Sequence, residues 1–173
     1  MAQPLIVFSH GQDGEPWGTK ILAMSEPARA AGYRLESVDY RGLEVEARVA
    51  KLSAFCKQQA ERPVLVGSSM GGHVAAAVSM EVRARGLFLL APAFFMPGFE
   101  EFTPVPADCP IAIVHGWHDD IVPVNNSIRF AREQSAALHV LDSDHRLTDS
   151  LEQIVDYLAQ FLRQLAAPVA RSI

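Results

Sequence analysis

Short apolar runs alternate with longer stretches of helical period along the whole chain, and that alternation limits its folds more than anything else. The runs "PLIVFS" (4–9), "YRLESVDY" (33–40), "PVLVGS" (63–68), "GLFLLAPAF" (86–94), "PIAIVHG" (110–116) and "ALHVLD" (137–142) read as strands. Residues 18–32, 45–61, 70–84, 126–135 and 148–166 place apolar side chains at helical spacing. Strands that are apolar on both faces must be covered on both. With helices in between, the outcome is a parallel sheet packed between two helical layers. The expected fold is α/β: a three-layer α/β/α sandwich around a mostly parallel sheet of about six strands. The helix over 45–61 should bury Val45, Val49, Leu52 and Cys56. The helix over 148–166 should be capped by Thr148 and bury Leu151, Ile154, Val155, Leu158, Phe161 and Leu162. Pro27 is expected to bend the helix over 18–32 or end its first part.

A length of 173 residues fits one domain, 1–173, and no composition shift marks a boundary. The net charge of −5 argues against nucleic acid, which needs a basic face. Cys56 and Cys109 lie far apart without CxxC spacing and read as reduced thiols. The N-terminal apolar run is too short for a secretory signal and no run reaches the length of a membrane span, so the expectation is a soluble, cytoplasmic protein with no membrane partner. The first strand is followed by S-H-G-Q-D-G, without the G-x-G-x-x-G spacing, and there is no P-loop, so nucleotide binding lacks support. No cofactor is expected.

"LVGSSMGG" (65–72) joins a buried strand to a helix of small residues. It fits G-x-S-x-G only with Ser69 at the centre and Ser68 as filler. So tight a turn crowds its neighbours, which is why Gly67 and Gly71 must be small. A serine hydroxyl needs a histidine to take its proton, and the histidine needs a carboxylate to hold its tautomer. On such a sheet the chain order is serine, acid, histidine. Asp119 and Asp120 follow the strand over 110–116, and His145 follows the last strand. Backbone donors for an oxyanion fall to Met70, after the serine, and Gln12, after the first strand.

These blocks together ("FSHG", "VDYRG", "LVGSSMGG", "LLAPA", "HGWHDDIVP" and "DHRL", in that order) make the sequence resemble the α/β-hydrolase superfamily. The resemblance implies that Asp119, the aspartate of H-G-x-x-D-x-x-V-P, is the triad acid, with Asp120 as fallback, and that His145 is the base. It implies a strand order of 2-1-3-4-5-6. The two antiparallel strands that usually come first are missing, and the stretch between "LLAPAFF" and "CPIAIVHG" is too short for a cap domain. The likeness is therefore to small, cap-less serine hydrolases of esterase type. Dienelactone hydrolases share the layout but usually carry cysteine at the nucleophile.

Other residues have two readings. Trp17, Arg41 and Trp117 sit in loops where they could line the mouth of a site, although an arginine placed like Arg41 more often anchors its own loop. Phe94, Phe95, Met96, Phe99 and Phe102 either wall an acyl pocket or pack on the core or on a second subunit of a homo-oligomer. His10, His73, His115 and His139 read as structural, and His118 as exposed. The spacing of His115, His118 and Asp119 is not that of a metal site. The expected function is hydrolysis of an ester or thioester of a small molecule through an acyl-enzyme on Ser69. The alternative is a binding or scaffold protein that keeps the fold without turnover.

Overall fold

Alternate residues of the central strands face opposite ways, and both sets are apolar, so two cores form, one on each side of a single sheet. The computed structural model describes residues 3–167. Its strands are β1 (Leu5–Ser9), β2 (Arg34–Val38), β3 (Val64–Ser68), β4 (Gly86–Leu90), β5 (Ile111–Gly116) and β6 (Ala137–Leu141). They form one six-stranded sheet in the order β2-β1-β3-β4-β5-β6. All five pairings are parallel, with Ile6 opposite Leu35 on one side and Val64 on the other.

The helices are α1 (Thr19–Ala30), α2 (Val45–Lys57), α3 (Met70–Ser79), α4 (Val124–Gln134) and α5 (Leu151–Ala166). Ile6, Phe8, Val66, Phe88 and Val114 meet Ile21 and Met24 of α1 and Ile154, Leu158 and Phe161 of α5. Leu5, Val7, Leu65, Leu87 and Ile113 meet Leu52 of α2, Val74 and Val78 of α3 and Phe130 of α4. A fully buried side chain of this kind contributes roughly 1.5–3 kcal/mol. The expected three-layer α/β fold and its strand order are therefore observed.

Several boundaries differ from expectation. β4 stops at Leu90, because Ala91 takes φ +40° and turns the chain off the sheet edge. α3 stops at Ser79, and the chain reverses through Arg83 at φ +52°. Thr148 does not cap α5. Leu147 at φ +58° turns the chain into a short 3₁₀ segment, Thr148–Ser150, and α5 begins only at Leu151. The buried stripe of α5 is narrower than expected: Ile154, Leu158, Phe161 and Leu162 are buried, while Leu151 and Val155 are half-buried. Pro27 lies inside α1 without breaking it, and the Ala31 amide closes on the Pro27 carbonyl at 3.0 Å.

Candidate active site

In a parallel sheet every strand ends on the same edge, so the turns after β1, β3, β5 and β6 meet at one rim. Ser69 stands between β3 and α3 with φ +53° and ψ −120°, a conformation L residues avoid. The turn is held open by missing side chains. A Cβ on Gly67 would lie 2.5 Å from the Gly71 carbonyl oxygen, and one on Gly71 would lie 2.0 Å from that of Ser9. Backbone bonds fix the rest: the Ser69 amide donates to the Leu90 carbonyl at 2.9 Å, and the Ala93 amide donates to the Ser69 carbonyl at 3.0 Å.

His145 arrives on the turn after β6. Its Nε2 lies 3.0 Å from Ser69 Oγ and its Nδ1 lies 2.7 Å from Asp119 Oδ2. Asp119, in the turn after β5, has a side chain with no solvent exposure. Its Oδ1 accepts the amides of Ile121 and Val122 at 2.9 and 2.8 Å. The carboxylate only accepts, so Nδ1 carries the imidazole proton and Nε2 presents a lone pair to the hydroxyl. That is the geometry a general base needs. Asp120 points elsewhere and is exposed, on the wall of the cavity described below.

The turn after β1 crosses the front of the serine. Gly11 abuts it: a Cβ there would sit 3.5 Å from Ser69 Cβ. Gln12 follows, and Met70 opens α3. Among the described residues, neither the Gln12 nor the Met70 amide is taken up by a loop or turn hydrogen bond. His10 is buried; its Nε2 accepts the Tyr40 amide at 2.9 Å, so its Nδ1 donates to the Gly11 carbonyl at 2.8 Å. Burial, the largest influence on this ring, lowers its pKa and keeps it neutral.

A cavity of about 720 Å³ opens beside Ser69 and His145. Gln12, Gly14, Lys20, Asp144 and Thr148 line it along with Asp120. Lys20 makes no salt bridge among the described residues. Burial lowers its pKa, and the charges of Asp144 and Asp119 oppose that shift. The aromatic side chains read as candidate walls of a pocket stand elsewhere. Phe94 is fully buried and stacks on Phe130 at 4.0 Å, and Phe95 lies under the Arg129 guanidinium at 3.8 Å. Phe99 and Phe102 are exposed. Trp17 and Trp117 are also exposed and do not line the cavity. Arg41 grips Asp39 at 2.7 Å, a bond that holds that carboxyl well below the usual carboxylate range.

The other histidines are tied to the fold. His73 donates to the Ala93 carbonyl at 3.2 Å, His139 stacks on Tyr157 at 3.8 Å, and exposed His118 pairs with Asp142 at 2.7 Å. His115 is buried with its Nε2 3.0 Å from Asp119 Oδ2. That contact was not expected. The signal was its place four residues before the acid at the end of a buried strand. Arg48 was also missed, and a cation inside the apolar stripe of α2 was its signal. Among the described residues no three His, Cys, Asp or Glu side chains cluster to hold a metal ion, and no helix is long and apolar enough to cross a membrane. Both cysteines are free thiols.

The sheet order and the strained serine turn define an α/β hydrolase fold. Residues 6–172 match the alpha/beta hydrolase family, and the chain belongs to it. It is similar to an alpha/beta-superfamily protein of Xanthomonas campestris pv. campestris, at 31% identity over 95% of this chain and 99% of that one, with a TM-score of 0.86. It is 25% identical to the palmitoyl-protein thioesterase ABHD10, mitochondrial, of Bos taurus, across 86% of this chain and 69% of that protein. A serine hydrolase without lid from Xanthomonas campestris shares the fold, with a TM-score of 0.81 at 18% identity over 97% of this chain and 86% of that one.

Proposed function

We propose that the protein is a serine hydrolase that cleaves an ester or thioester of a small molecule through an acyl-enzyme. The observation that carries this reading is the pair of distances at His145, 3.0 Å to Ser69 Oγ and 2.7 Å to Asp119 Oδ2. Ser69 Oγ attacks the carbonyl carbon as its proton passes to His145 Nε2. The amides of Gln12 and Met70 face the oxygen that becomes negative, where fixed donors stabilise charge most. Collapse of the tetrahedral species expels the alcohol or thiol, which takes the proton from His145. Water then repeats the sequence on the acyl-enzyme and frees the acid. Asp119 keeps the imidazole in the required tautomer and offsets its transient positive charge. The thioesterase named among the relatives supports a thioester as one substrate class.

The test pairs a fluorophosphonate probe with a panel of p-nitrophenyl esters and acyl-thioesters. The folded protein should be labelled at Ser69 and turn over members of the panel. Ser69→Ala should lose labelling and about 10³-fold or more in kcat. A folded protein that neither labels nor turns over would leave the non-catalytic scaffold as the better reading.

A further inference from the structure

Arg48 is the largest fully buried side chain in the described structure, and no carboxylate stands within salt-bridge reach of it there. A buried cation without a counter-ion is costly, so its partners must be substantial. They are backbone carbonyls. Nε donates to Leu43 at 2.7 Å, Nη1 to His10 at 3.3 Å and Gly11 at 3.2 Å, and Nη2 to Gln12 at 3.3 Å. The planar fork thus gathers three consecutive carbonyls of the turn after β1 from behind, and the guanidinium lies 5.4 Å from the Tyr40 ring centre.

The Gly11–Gln12 peptide is planar and trans, so its C=O and N–H point in opposite directions. Its oxygen accepts from Arg48 Nη1, from His10 Nδ1 at 2.8 Å and from the Gly14 amide at 3.2 Å. The Gln12 N–H therefore points away from Arg48. Gly11 itself lies against Ser69. We infer that Arg48 is a positioning residue for the oxyanion site: it fixes the direction of the Gln12 N–H and, by drawing charge onto the Gly11 oxygen, strengthens that N–H as a donor. This rests on the reading of Ser69 as nucleophile and Gln12 as oxyanion donor. A lysine would supply the charge but not the fork, and could not hold three carbonyls in one plane.

The experiment compares wild type, Arg48→Met and Arg48→Lys as full chains, with melting temperature measured alongside. Kinetics on p-nitrophenyl acetate give kcat and KM, and ¹⁵N NMR follows the Gln12 amide shift and its hydrogen exchange. Arg48→Met should lower kcat about 10–100-fold, less than outright loss of an oxyanion donor, with KM within about twofold. The Gln12 amide should move and exchange faster, and Arg48→Lys should fall between. If Arg48→Met does not fold, Arg48→Lys decides by the same readouts. A folded variant with kcat and the Gln12 amide unchanged, or with only KM raised, overturns the inference. The amide readout needs no turnover, so it separates failure here from failure of the hydrolase reading, which wild-type labelling and turnover decide.

Discussion

His115 Nε2 and Asp119 Oδ2 lie 3.0 Å apart with neither side chain exposed, and this is the oxygen that His145 reaches from the other side. The same Nε2 lies 2.9 Å from the Val122 carbonyl, which only accepts, so Nε2 carries the proton and Nδ1 accepts the Ser127 hydroxyl at 2.7 Å. Asp119 thus meets a second imidazole as well as that of His145. His115→Leu removes that donor and leaves Ser127 and the Val122 carbonyl unpaired. It should destabilise the fold by about 1–3 kcal/mol in urea titrations and lower kcat by up to about tenfold. His115→Asn keeps a donor and should lose less on both measures.

Two adjacent aspartates should part company. Asp119→Asn keeps the shape but removes the acceptor that holds the His145 tautomer, and kcat should fall by about 10³-fold or more. Asp120→Asn should stay within about twofold, since Asp120 neither meets His145 nor bonds the turn. Ser69→Ala combined with His145→Ala should be no worse than either alone, because the two act as a unit. Initial rates on one ester at saturating concentration check all of these.

Two glycines separate folding from catalysis. A Cβ on Gly71 would lie 2.0 Å from the Ser9 oxygen, where β1 meets α3. Gly71→Ala should therefore give little soluble folded protein or cost about 1–3 kcal/mol or more. A Cβ on Gly116 would lie 2.2 Å from the Ser143 oxygen and 2.6 Å from that of Asp144, both in the turn carrying His145. Gly116→Ala should displace that turn and lower kcat in molecules that still fold, as circular dichroism and kinetics on the same sample would show.

Acid should weaken the fold before the carboxylates are reached. Burial lowers the pKa of His10, His73, His115 and His139 below the ordinary 6.5. Below about pH 6.5 the unfolded chain takes up protons that the folded chain refuses, so stability falls as pH drops from there toward the lowered values and is fully present above. Urea midpoints at pH 8, 6 and 5 should decline in that order with unchanged slope, and the decline should shrink in His115→Asn.

The parallel sheet and the strand-to-helix serine were legible because both follow from residue pattern, whereas the strand order came only with the family resemblance. Runs apolar on both faces can only be central strands, and glycines two before and two after a serine leave room for one kind of turn. The ends of β4 and α3 were not legible, since Ala91 and Arg83 take positive φ without being glycine, in turns held by backbone bonds from the Ala91 amide to the Val114 carbonyl at 2.8 Å and from the Ala84 amide to the Ser79 carbonyl at 2.9 Å. Thr148 does not cap α5 because Asp144 takes the turn first, its Oδ1 accepting the amides of Arg146 and Leu147 at 2.9 and 3.1 Å. The aromatic stretch over 93–102 was open between wall and core. Phe94 stacks on Phe130 of α4, Phe95 lies under Arg129 of the same helix, and the cavity forms beside α1, an arrangement that depends on packing between elements rather than on the residue types in the stretch.

Ser69, Asp119, His145 and Gln12 all stand in turns that follow strands, on the edge of the sheet opposite to the one where the strands begin. The bend over 58–62, between α2 and β3, where Gln58, Ala60 and Arg62 are exposed, belongs to that far side. It is accordingly the natural splice point for a tag, a reporter or a whole second fold, since foreign sequence there would hang beneath the sheet and leave the reacting atoms in their places.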